Sequence, residues 1–131
     1  MGTRGLVNVV DEQGDTLLTV YRQYDCYPSG LGQELKDLLG NSDITNGFNG
    51  SQKAPKTFNG FGCLAAWLVK SLKDQIGDVY IYPPNMTNIG EEYIYTLYPS
   101  EDNRVNVKVV STWDNNAVLY DGPISKMEVS E

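Results

Sequence analysis

The chain reads as an α+β protein in which helices pack on a largely antiparallel sheet of about six strands. Two observations lead there. Two strand-like runs precede the helical segments and four follow them, in place of the strict strand and helix alternation of a parallel α/β sheet. Each run is rich in Val, Ile, Leu, Thr and Tyr, the side chains that suit a pleated, half-buried surface. With 131 residues, 40% of them hydrophobic, residues 1–131 form a single domain, large enough to bury a core without disulfide or metal support.

Gly5 to Val10 and Thr16 to Tyr24 are the first two strands, joined as a hairpin by Asp11-Glu12-Gln13-Gly14-Asp15. Pro28-Ser29-Gly30 breaks the second strand. Leu31, Leu35, Leu38 and Leu39 then recur at helical spacing as far as Gly40, a suitable stop. Residues 41–62 are rich in Asn, Gly, Ser and Thr and carry a weak internal echo, NGFNG and FNGFG. They read as a long surface loop, an uncommon feature that is often functional. From Cys63 the helical pattern returns, with Leu64, Trp67, Leu68 and Leu72 on one face, and runs to near Gly77. Val79 to Tyr82, Tyr93 to Tyr98, Val105 to Thr112 and Ala117 to Asp121 are the four later strands.

Composition narrows the chemistry. Histidine is absent, which removes the commonest general base and every nucleophile–histidine pair. Cys26 and Cys63 are the only thiols and lie in unlike contexts, so neither a disulfide framework nor a zinc site is legible. Glu91-Glu92 and Glu101-Asp102 are adjacent in sequence, and strand neighbours point to opposite faces, so they form no acid/base pair. The expectation is a binding protein without catalytic residues, metal or cofactor. A net charge of −7 opposes binding of DNA or RNA polymers, whose phosphates need a basic face. A small anion is still admissible, because a pocket needs few donors and salt screens distant carboxylates. No run approaches the ~20 apolar residues of a membrane helix, and the N-terminus leads into a strand instead of a signal peptide. A cytoplasmic protein is expected.

Three features suit an anionic ligand. Ser29-Gly30-Leu31-Gly32 and Asn59-Gly60-Phe61-Gly62 each stand before a helix, where exposed amides and the helix dipole favour negative charge; taken alone, ordinary turn and capping glycines are the commoner explanation of such loops. Arg4, Arg22 and Arg104 are the only arginines; a planar guanidinium suits phosphate, while for each taken singly a surface ion pair is the commoner role in an acidic protein. Nine tyrosines are more than a core requires, so some are free to stack on a base.

The stretches MGTRGL and YDCYPSGLG, with the order of elements around them, resemble the phage-encoded Thoeris anti-defence proteins of the first type. The layout covers most of the chain, while the specific likeness is confined to those two stretches. The resemblance implies a homo-oligomer, a dimer or a larger multiple such as a hexamer, in the cytoplasm of the infected bacterium. It implies sequestration, without cleavage, of cyclic ADP-ribose-type signals, and binding of the cyclic oligonucleotides of CBASS at separate sites. On that reading Arg22 and Tyr24 edge the pocket, and the Gly30/Gly32 loop presents amides to a pyrophosphate. Arg22 and Arg104 contact phosphate. Tyr82 and Asn88, around the Pro83-Pro84 break, hold the base. The alternative is a small acidic inhibitor that docks on a host protein, though its carboxylates lack the regular spacing a nucleic-acid mimic would show.

Overall fold

The computed structural model describes residues 2–45 and 56–128. It is α+β. The strands are β1 (Gly5–Val10), β2 (Thr16–Arg22), β3 (Ser42–Thr45), β4 (Lys56–Asn59), β5 (Val79–Tyr82), β6 (Tyr93–Pro99), β7 (Val105–Ser111) and β8 (Ala117–Pro123). Helix α1 spans Gln33–Leu39 behind a π-helical turn at Pro28–Gly32, and α2 spans Gly60–Leu72. Six strands form one sheet in the order β5-β2-β1-β6-β7-β8, antiparallel except for the parallel pair β1 and β6.

The hairpin turn between β1 and β2 closes on Asp11, whose Oδ1 accepts the amides of Gln13 and Asp15 at 2.9 Å each. Alternation then sorts the sheet into two faces. Val7, Val9, Val20, Tyr95, Leu97, Val107 and Val109 are buried beneath the helices, which add Leu31, Leu35, Leu39, Leu64, Leu68 and Leu72. Strand β5 lies at one edge, and β6 lies beyond β2 and β1. Residues 83–92 therefore cross the opposite face of both strands to reach it. Asn85 fixes that crossing: its amide donates to Thr19 Oγ1 and its side-chain Oδ1 accepts the Thr16 hydroxyl, both at 2.8 Å.

Three expectations are corrected. The 41–62 segment includes strands β3 and β4, a parallel pair from Ser42↔Lys56 to Thr45↔Asn59; residues 46–55 lie outside those described. Helix α2 begins three residues earlier than expected, because Gly60-Phe61-Gly62 contributes its first turn directly after Asn59, the last residue of β4. It ends at Leu72 instead of near Gly77, since Lys73 turns extended at φ −80°, ψ 109°. Strand β2 stops at Arg22, short of Tyr24.

Candidate functional site

Arg4 stands just before β1 on the face that the 83–92 crossing covers. Its carbonyl accepts the Glu92 amide at 2.7 Å, and its guanidinium lies against Gly90, so close that a Cβ there would meet Nη1 at 2.8 Å. Only glycine suits that position, both for the approach and for its φ of +99°. The Arg4 Nε is buried without a hydrogen-bond partner, and the guanidinium forms no ion pair among the described residues. This is unusual in a chain with 17 acidic and 10 basic residues, where an arginine readily finds a carboxylate.

The Arg4–Gly90 contact separates two depressions. On one side is a pocket of about 740 Å³ lined by Thr87, Asn88, Gly90, Glu91, Ile94, Val110, Thr112 and Asn116. On the other is a smaller one, about 270 Å³, formed by Gly2, Arg4, Tyr21, Gln23 and Tyr24. Together they are the size of a small-molecule site, with amides and hydroxyls on one flank and phenol rings on the other. Local backbone shapes the polar flank, because Asn88 and Asn116 both take left-handed φ, +62° and +59°.

Three of the expected site residues gather on this face. Tyr24 is 48% exposed in the smaller pocket and Asn88 lines the larger one. Tyr82 stands one step back, its ring edge-on to Tyr21 with centroids 5.7 Å apart. The pair Pro83-Pro84 ends β5 immediately after it, as expected.

Arg22, Gly30, Gly32 and Arg104 are not part of this arrangement. Arg22 alternates with Tyr21 and so points to the helical side, where Nη1 pairs with Glu34 at 2.5 Å and Nε donates to the Tyr24 carbonyl at 3.0 Å. Burial alone would lower its pKa, but the bond and charge of Glu34, together with other nearby charge such as Asp78, raise the value overall. Its work is to tie the end of β2 to α1. Gly30 donates its amide to the Tyr27 carbonyl at 2.8 Å, and Gly32 is buried where a Cβ would touch the Tyr95 ring, so neither residue is held ready for a pyrophosphate. Tyr95 in turn donates to the Cys26 carbonyl at 2.7 Å. Arg104 forms a half-exposed pair with Asp43 at 2.9 Å. It lies seven residues before Ser111, which shares a row with Tyr93, Gly5 and Arg22. At ~3.3 Å per residue the two arginines are about 23 Å apart along the strands, too far to grip one pyrophosphate within a chain.

The glycine loop before α2 is likewise occupied. The Phe61 amide donates to Glu12 Oε2 at 3.0 Å, so the protein's own carboxylate caps that helix. Glu91, Thr112 and Asn116 are not among the expected binding residues, and Arg4 stands there only as one of three arginines. The signal that was present is Arg4 inside MGTRGL, a cation at the mouth of a strand in an acidic chain.

Among the described residues no helix is long and apolar enough to cross a membrane. Compared with known proteins, the chain matches no family model, no curated sequence and no solved structure.

Proposed function

We propose that the protein binds and sequesters a small signalling nucleotide of the cyclic ADP-ribose type, without cleaving it. Arg4 carries the reading: a guanidinium with no ion pair among the described residues, fixed between a polar pocket and an aromatic one, wants an anion with two unlike ends. A pyrophosphate joining a base to a sugar has that form. The resemblance in MGTRGL and YDCYPSGLG supplies the finer identity, a phage anti-defence protein that keeps the signal from its effector, with CBASS oligonucleotides as further ligands. The functional unit is a homo-oligomer in the bacterial cytoplasm. Sequestration needs affinity and no base, which suits a chain without histidine. The test is to incubate excess protein with cyclic ADP-ribose, remove free ligand, denature and quantify what is released. Intact nucleotide is expected; ADP-ribose in its place, or nothing retained, rejects the proposal.

A further inference from the structure

The larger pocket beside Arg4 contains a carboxylate, Glu91, and that carboxylate is held still. Asn88 donates its amide to Oε2 at 3.0 Å and Ile89 donates to Oε1 at 2.9 Å, so each oxygen takes one backbone bond. The Thr112 hydroxyl, which also lines the pocket, donates to the Glu91 backbone carbonyl at 2.9 Å and fixes the residue from the other side. Among the described residues no arginine or lysine pairs with this side chain. A carboxylate has about four acceptor sites, so two occupied by amides leave capacity for a ligand.

A fixed negative group beside an anion site repels phosphate. It therefore suits a neutral part of the ligand that donates hydrogen bonds. We propose that Glu91 is a specificity residue that accepts the hydroxyls of a ribose while Arg4 takes the adjoining phosphate. Two neighbouring hydroxyls match two carboxylate oxygens, and the exposed amide side chains of Asn88 and Asn116 flank the same space. The same charge excludes a ligand whose hydroxyl carries a phosphate, because two anions would face each other in a partly desolvated cleft. This inference rests on the nucleotide reading above.

The test uses calorimetry with two probes, cyclic ADP-ribose and its 2′-phosphate, on the full-length chain and on Glu91→Gln and Glu91→Asp. The wild type is expected to prefer the unphosphorylated probe at least about tenfold, the worth of one charge-assisted bond. Glu91→Gln, which keeps the shape and gives up the charge, should weaken cyclic ADP-ribose and shrink the preference to about threefold or less. Glu91→Asp should retain the preference. Equal binding of the two probes by the wild type overturns the assignment whether or not the variants fold, and so does an unchanged ratio in Glu91→Gln. Binding of neither probe by the wild type removes the nucleotide reading itself, and this assignment with it.

Discussion

Arg4 and Gly90 define each other's positions. Gly90 holds a φ of +99° that costs an L side chain strain, and a methyl group there would meet the guanidinium at 2.8 Å. Gly90→Ala should therefore weaken nucleotide binding about tenfold by displacing Arg4, and lower stability by about 1 to 2 kcal/mol through the backbone. Calorimetry and thermal unfolding read the two effects separately. Cys26 makes a second residue-scale point. Burial pushes its thiol from the ordinary 9.0 up to about 12, and burial raises the Tyr95 phenol in the same direction. Both groups stay neutral in the fold and ionise more readily in the unfolded chain. Their contribution is complete below about pH 9 and is lost as pH climbs toward about 12, so the denaturation midpoint should fall across that window. Why Arg4 was hard to pick from sequence is also visible at this scale. Arg22 has a carboxylate twelve residues on, Arg104 finds Asp43 across the fold, and Arg4 is distinguished only by lacking such a partner. That is a tertiary fact, and the local signal, a cation ahead of a strand, does not by itself single Arg4 out.

At the scale of elements, alternation and helical spacing located the long, strongly patterned segments. Val79 to Tyr82 has the expected bounds, and β6, β7 and β8 are within two residues of theirs. Ser42–Thr45 and Lys56–Asn59 are short, with three polar residues in each four, so their pairing depends on α2 and on the β6–β7 turn, where the Asn103 carbonyl accepts the Ile44 amide at 2.9 Å, and local pattern does not reveal it. The α2 start was misjudged for a related reason. Glycines at 60 and 62 disfavour helix, and what overrides them is a cap from a distant turn, Glu12 on the Phe61 amide. Glu12→Ala should then destabilise the protein by about 1 kcal/mol, typical of a lost cap, and leave nucleotide affinity unchanged. A gain of nucleotide affinity in that variant would move the anion site to the α2 end, where the Phe61 amide would have been freed.

Over the whole molecule the two edges of the sheet differ. Strand β5 has four residues and runs into Pro83-Pro84, which blunts that edge. Strand β8 has seven, Val118 and Leu119 on it are about half exposed, and Trp113, in the turn that precedes it, is 78% exposed. Its first four residues, Ala117 to Tyr120, carry neither proline nor charge to discourage pairing. The proposed homo-oligomer should use this edge. Light scattering is expected to give a dimer or larger multiple of 14.6 kDa, and Leu119→Lys should shift it toward the monomer. A 14.6 kDa particle at micromolar concentration would speak against association.

The central claim is that Arg4, placed between the two pockets, holds the ligand's phosphates. Isothermal calorimetry of cyclic ADP-ribose with wild type, Arg4→Ala and Arg104→Ala measures it most directly. The account predicts that Arg4→Ala loses about 2 kcal/mol, roughly thirtyfold in affinity, while Arg104→Ala, which breaks only a half-exposed pair with Asp43, binds within about twofold of the parent. A folded Arg4→Ala variant that binds as tightly as wild type, or an Arg104→Ala variant that alone loses affinity, would contradict it.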